Sequence, residues 1–308
     1  MVERCSNNMK VIVTGANGFI GSALIGKLLA AGAEILAVDL SFASNRLPQS
    51  DRLVCKEMSV EQISMLESLV KPGDYDVFYH LAWKGVNGPL KADVFAQIGN
   101  IQAAVKCAET AHNIGCKRFL CAGTIAEQAV NSLPTLKKTS GGMLYGTAKD
   151  SAHKLLETYC KNIGLDFVWM QFSNIYGPQN KTGNLVSYTI TELMNGRVAS
   201  FGPAEQPYDF IYVDDLIEAV FRLATATLRD SFYYIGSGET RALKGYLITI
   251  GKLMGKSELI KIGERPDDGI RYTTDMFDNS ALVRDIGQYV TTSFEDGICK
   301  TSAGFYHE

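Results

Sequence analysis

Lys10-Val11-Ile12-Val13-Thr14-Gly15-Ala16-Asn17-Gly18-Phe19-Ile20-Gly21 decides the fold. A short β-branched run ends in a glycine turn, and a helix pattern follows from about Phe19 to Ala31, stopped by Gly32. Gly15 permits the tight turn after the strand, Gly18 lets backbone approach a pyrophosphate, and Gly21 lets the helix pack closely on the sheet. The first N–H groups of that helix attract anionic phosphate, helped by the helix dipole. The strand–turn–helix context separates this segment from an ordinary glycine-rich turn.

Working outward, short apolar runs recur at Ile35–Val38 (ending at Asp39), Leu53–Cys55, Val77–His80, Phe119–Ala122 and Phe167–Met170. Near-continuous apolar strands separated by helices specify a parallel sheet covered on both faces. The predicted class is α/β: a Rossmann-like doubly wound sheet with a smaller α/β substrate-binding lobe on the C-terminal side. The dinucleotide-binding domain spans 9–176, with 208–235 returning to it and Phe210–Val213 rejoining the main sheet. The lobe comprises 177–207 and 236–308, where glycine and proline become frequent. Val94, Ile98, Ile101, Val105 and Ala108 recur at helical spacing, as do apolar positions between Met143 and Asn162. These stripes are expected to pack on the sheet. The outer faces of the helices near 94–113 and 143–162 are candidate contacts for a homodimer.

The 308 residues are 46% hydrophobic with a net charge of −3, which argues against a nucleic-acid or membrane partner. Seven cysteines are scattered without a C-x-x-C, so a reducing compartment and no structural zinc are expected. The dispersed histidines give no metal-ligand spacing. Met1–Lys10 lacks the apolar core of a signal peptide. No run reaches the roughly 20 apolar residues of a membrane span. A cytoplasmic protein is expected, with Met1–Asn8 as a frayed extension.

Asp39 ends the second strand, where a carboxylate accepts hydrogen bonds from adenosine ribose hydroxyls and repels a 2′-phosphate. NAD is therefore favoured; Arg46 just beyond softens the preference and keeps NADP open. Tyr145 and Lys149, four residues apart, share a helix face. A lysine ammonium close to a phenol favours the phenolate, making Tyr145 a candidate general base for alcohol oxidation and acid for ketone reduction. Thr124, after the fifth strand, has a hydroxyl suited to holding the reacting oxygen. The spacing alone is weak; the dinucleotide loop upstream in the same sheet gives it weight.

Thr14-Gly15…Gly18…Gly21, Asp39, His80-Leu81-Ala82, Thr124, Tyr145…Lys149, Asn174–Pro178 and Tyr208–Asp215 together resemble the ordered motifs of the extended short-chain dehydrogenases, which include nucleotide-sugar epimerases, dehydratases and 4-keto reductases. The resemblance runs from about Lys10 to Leu282. It implies that Gly15, Asn17, Gly18, Phe19, Ile20 and Gly21 line the pyrophosphate and that Asp39 holds the adenosine ribose. It places Leu81, Ala82 and Lys84 beneath the cofactor, Asn100 on the nicotinamide side, and Lys149 on the nicotinamide ribose. Asn174 and Asn184 would meet the sugar nucleotide and Arg265 its diphosphate, for which a planar fork is suited.

Four departures matter. Threonine stands at 124 where the family usually has serine. Tyr208 replaces an arginine that many members carry. Ile125-Ala126 follow Thr124 where the 4,6-dehydratases have an Asp-Glu pair, which argues against water elimination. Trp83 is bulky where small residues are common, as in some deoxysugar-nucleotide 4-keto reductases. The resemblance implies oxidoreduction at a sugar carbon, carbon 4 being expected, of a nucleotide-linked hexose, as an epimerase; a 4-keto reductase is the alternative. A non-catalytic NAD(P)-binding sensor is more remote, since Thr124, Tyr145 and Lys149 are all retained.

Overall fold

The computed structural model describes residues 9–180 and 183–306; Met1–Asn8, including Cys5, lies outside them. The first half runs β1 (Lys10–Thr14), α1 (Phe19–Ala30), β2 (Glu34–Asp39), β3 (Leu53–Glu57), α2 (Leu66–Leu69), β4 (Val77–His80), α3 (Val94–Asn113), β5 (Arg118–Thr124), α4 (Gly141–Ile163) and β6 (Asp166–Phe172). Then come β7 (Asn174–Tyr176), α5 (Leu185–Met194), β8 (Ala199–Ser200), β9 (Pro207–Tyr208), β10 (Phe210–Tyr212), α6 (Val213–Leu223) and β11 (Phe232–Ile235). The main sheet has seven strands in the order β3-β2-β1-β4-β5-β6-β11. Every pairing in it is parallel.

The β1 sequence explains the two-sided burial. Val11 and Val13 point into one core, with Leu24 and Ile25 of α1 and Leu216 and Val220 of α6. Ile12 points into the other, with Ala104 and Cys107 of α3 and Ala152 and Leu156 of α4. All three β1 residues are fully buried, each worth about 1.5–3 kcal/mol. The chain leaves β1 towards β2 on one side and reaches β4 on the other, so the crevice at their carboxyl ends is the switch point where ligands of this architecture sit.

Two expectations are corrected. The predicted stripe packs inward only in its second half: Ala108 is buried in the core with Ile101 and Val105 packed against it, while Val94 and Ile98 are exposed, as is Phe95. The buried side of α3 also carries Gln97, Asn100, Ala103, Ala104, Cys107 and Ala111, mostly small side chains that let the helix approach its neighbours closely. The Phe210 strand does not rejoin the main sheet. β10 pairs in parallel with β7 in a separate ribbon, and β11 is the returning strand, pairing with β6.

Aromatic packing fastens the C-terminal segments to this ribbon. The Phe210 and Tyr246 rings lie 5.0 Å apart, Tyr246 and Phe294 4.6 Å, and Tyr176 and Phe294 5.3 Å. Asp215 accepts from the Thr291 N–H (3.0 Å), the Thr291 hydroxyl (2.9 Å) and the Thr292 N–H (3.1 Å). Asp209 accepts from the Tyr234 hydroxyl at 2.7 Å, the Ser237 N–H at 3.0 Å and the Ser237 hydroxyl. Burial nonetheless pushes the Asp209 carboxyl up to about 6.

Candidate active site

The glycine turn is built against neighbouring backbone. Gly15 has φ +70°, and a Cβ there would stand 2.7 Å from the Ala82 nitrogen; a side chain is excluded by both strain and space. A Cβ on Gly21 would run into the Gly15 carbonyl oxygen and lie 2.9 Å from the Ala16 Cα. α1 therefore starts tight against the turn. Its N-cap, Gly18, supplies no side-chain cap, and no acidic residue occupies the first turn. That leaves an uncapped, electropositive helix start, the donor set a pyrophosphate requires.

Asp39 accepts from the Asn17 N–H (2.8 Å) and the Leu40 N–H (2.7 Å). A carboxylate has about four acceptor sites, so capacity for ribose hydroxyls remains. The Asn17 side chain is turned to the 41–46 loop: it donates to the Ser41 and Ser44 carbonyls and accepts from the Arg46 N–H. Asn17 thus joins the Asp39 carboxylate to the loop beside it, through its backbone N–H on one side and its side chain on the other. Phe19 and Ile20 form the first turn of α1. At the end of β4, His80 Nδ1 lies 2.8 Å from Thr14 Oγ1, and burial pushes this imidazole down to about 3.

Thr124 and Tyr145 come together at the end of β5 and the start of α4. Burial pushes the Tyr145 phenol upward and the nearby Glu127 charge adds to this, against the neighbouring Thr124 hydroxyl, which acts to lower it. The phenol accordingly stands above its ordinary range. The expected lowering by Lys149 is not the leading influence in this structure. The Lys149 ammonium instead donates to the Ala122 carbonyl at 2.6 Å and lies 3.7 Å from the Trp83 ring centroid. Burial pushes it below its usual basicity. α4 reaches this position because Gly146 has no Cβ, which would collide with the Ala126 carbonyl oxygen.

Glu127 was not singled out from sequence, although Thr124-x-x-Glu127 has capping-box spacing. Thr124 and Glu127 form that box at the start of the 3₁₀ segment Ile125–Thr135. The Glu127 carboxylate accepts from the Thr124 N–H (2.6 Å), the Trp169 indole N–H (3.0 Å) and the Gln171 amide (3.0 Å). Burial pushes its carboxyl upward, against these three donors and the nearby Lys149 charge. Glu127 fixes the backbone of Thr124, while Ile125 is buried at its side.

The segment after β4 closes over Tyr145 and Lys149. Asn100 holds Lys84 at both ends of its amide, accepting from the Lys84 N–H (2.9 Å) and donating to the Lys84 carbonyl (2.7 Å). Gln97, also missed from sequence, accepts from the Trp83 indole at 2.8 Å and donates to the Leu90 (3.1 Å) and Gly85 (3.3 Å) carbonyls. The signal for it was an amide one turn after Val94. The Trp83 and Tyr145 rings meet edge-on at 6.3 Å. Tyr145 and Lys149 are consequently buried. Two surface cavities, of about 440 and about 320 Å³, lie away from Tyr145 and Lys149, one beside Lys27, Glu218 and Arg222 and the other beside Arg118, Glu157 and Asp230.

On the lobe side, Asn174 donates to the Asp209 carbonyl (3.1 Å) and accepts from the Tyr208 hydroxyl (3.0 Å). Tyr208 thus fills its place with a partly buried ring and presents no cation. Asn184 caps α5, accepting from the Ser187 N–H (2.9 Å), and donates to the Ile175 carbonyl (2.9 Å). Its amide is engaged at both ends in structure. Arg265 is exposed, donates to the Tyr188 hydroxyl at 2.7 Å, and lies 5.2 Å from that ring's centroid. Among the described residues no group of three or more histidine, cysteine, aspartate or glutamate side chains converges to hold a metal ion. No described helix is long and apolar enough to cross a membrane.

Residues 11–236 match the NAD dependent epimerase/dehydratase family. An uncharacterised UDP-glucose epimerase of Bacillus subtilis is 25% identical over 283 residues, covering 83% of this chain and 86% of the relative. The fold matches UDP-glucose 4-epimerase of Thermotoga maritima, solved with UDP-glucose, at a TM-score of 0.79, 21% identity, and coverage of 97% and 99% of the two chains. It matches dTDP-glucose 4,6-dehydratase of Bacillus anthracis, solved with NAD, at a TM-score of 0.80, 18% identity and 97% coverage of each chain. The matched region contains the glycine turn, Asp39, Thr124, Tyr145 and Lys149, and the chain belongs to the NAD dependent epimerase/dehydratase family of enzymes.

Proposed function

We propose that this chain carries out NAD-dependent oxidoreduction at a sugar carbon, carbon 4, of a nucleotide-linked hexose, as an epimerase. The observation that carries the reading is the buried Tyr145 and Lys149, with Lys149 anchored on the Ala122 carbonyl next to Thr124, at the carboxyl end of a sheet whose glycine turn and Asp39 suit an NAD. NAD, when bound, supplies the hydride acceptor and donor. The backbone of Gly15–Gly21 would hold its pyrophosphate, Asp39 the adenosine ribose, and Lys149 the nicotinamide ribose. Tyr145 takes the proton from the sugar hydroxyl and returns it, while Thr124 holds the reacting oxygen beside it. Lys149 must leave the Trp83 face, or share it, to reach the ribose. Asn174 and Arg265 face the nucleotide side.

Elimination of water is disfavoured because Ile125 and Ala126 carry no acid or base, and Glu127, the next carboxylate, is held by three donors. A 4-keto reductase is the second reading, favoured by Trp83 beside Lys149. The two differ in cofactor turnover: an epimerase retains its NAD, whereas a reductase consumes NADH. Mass spectrometry of molecules released from the purified protein, followed by incubation with UDP- and dTDP-hexoses, tests this. Interconversion of a hexose pair without net NADH change supports the epimerase. Stoichiometric NADH consumption with a 4-keto sugar supports the reductase and overturns the epimerase.

A further inference from the structure

Lys91 has no role in the account above, yet its position is built. Leu90 before it is held by Gln97 through a 3.1 Å hydrogen bond. Ala92 after it packs on the start of α4, where a Cβ added to Gly141 would stand 2.8 Å from the Ala92 Cβ. The side chain between these two anchors is partly buried, and its ammonium lies 5.2 Å from the Tyr145 ring centroid. Among the described residues no carboxylate pairs with it; burial alone acts on its basicity, lowering it. A cation partly withdrawn from water, facing a ring and without a carboxylate partner, is undercompensated. An anion arriving at the site would complete it.

Tyr145 marks the reacting carbon, so a cation above its ring faces the substituents of the neighbouring ring carbons. Resting on the nucleotide-sugar reading, we propose that Lys91 reads a carboxylate on the sugar, so that the substrate is a nucleotide-linked uronate or a similarly acidic sugar rather than a neutral hexose. The carboxylate pairs with the Lys91 ammonium next to Tyr145, and a neutral hydroxymethyl group leaves that ammonium without its partner.

The test is calorimetric titration of the full-length, NAD-loaded protein with UDP-glucuronate, UDP-glucose and the corresponding dTDP sugars. Wild type, Lys91→Met and Lys91→Arg are compared, each first checked by thermal melting. The acidic sugar should bind tighter than its neutral counterpart by about 10- to 100-fold, the worth of a hydrogen bond to a charged group. Lys91→Met should abolish that ratio and Lys91→Arg should keep most of it. Equal binding of acidic and neutral sugars by wild type, or an unchanged ratio in Lys91→Met, overturns the inference and leaves the nucleotide-sugar reading standing. A loss shared equally by both sugars, with the alkaline limb of turnover moved to higher pH, makes Lys91 a partner of Tyr145 alone and also overturns it. Binding of NAD with no binding of any of the four sugars overturns the nucleotide-sugar reading itself.

Discussion

Replacing Gln97 with leucine removes the hold on the loop that covers the catalytic pair. The wild-type amide is buried and bonds three groups: the Trp83 indole N–H at 2.8 Å, and the Leu90 and Gly85 carbonyls at 3.1 and 3.3 Å. A contact to the Lys84 carbonyl at 3.5 Å is too long to count. Stranding the indole N–H costs about 1–3 kcal/mol, and the two carbonyls, which water reaches once the loop loosens, add about 1 kcal/mol. The total is about 2–4 kcal/mol. With roughly 2.1 cal/mol/K of unfolding entropy per residue over 308 residues, the melting temperature falls by about 3–6 °C. Trp83 also loses its place over Lys149, so tryptophan emission shifts. The chain has two tryptophans, and Trp169 stays bonded to Glu127. Gln97→Glu keeps an acceptor for Trp83 but loses the donor, so it should preserve the emission while still lowering the melt. A Gln97→Leu protein with wild-type melting temperature and emission would refute this view of the loop.

Thr124→Val removes the hydroxyl that lowers the Tyr145 phenol, so the alkaline limb of the pH–rate profile should move to higher pH and turnover should fall by less than in Tyr145→Phe; an unmoved limb contradicts the pairing. His80 is neutral and buried, its folded value near 3 against 6.5 unfolded. The unfolded chain therefore binds more protons in acid: this stability is fully present above 6.5 and is lost as pH falls towards 3, reaching about 2 kcal/mol by pH 5. His80→Asn, whose amide can still meet Thr14, should flatten the difference in denaturation free energy between pH 7 and pH 5, and an unchanged slope counts against it. NADH should bind more tightly than NADPH at matched ionic strength, because Asp39 would face the 2′-phosphate, and tighter NADPH binding rules that selection out.

Much of the architecture is legible along the chain because β1, β4 and β6 are apolar on both faces, and glycines mark the turn. The α3 stripe was legible only in part. Hydrophobic spacing found Ile101, Val105 and Ala108, which pack inward, but Val94 and Ile98 in the first turns face outward. The β10 partner was likewise hidden, since three apolar residues suit either the main sheet or a ribbon with β7. Thr124, Tyr145 and Lys149 followed from motif order. The company they keep did not: Glu127, Gln97 and Trp83 act through contacts made across the fold. Asn184 shows the reverse case, a polar residue expected at substrate whose amide caps a helix.

The most direct measurement of the central claim is turnover by Tyr145→Phe on an identified nucleotide sugar with NAD saturating. Phenylalanine keeps the ring beside Trp83 and removes only the hydroxyl. The account predicts a fall in kcat of about 10²–10⁴-fold, the worth of a positioned acid–base group, with NAD affinity and melting temperature retained. A Tyr145→Phe enzyme that turns over at the wild-type rate would contradict it and move the proton transfer to another group.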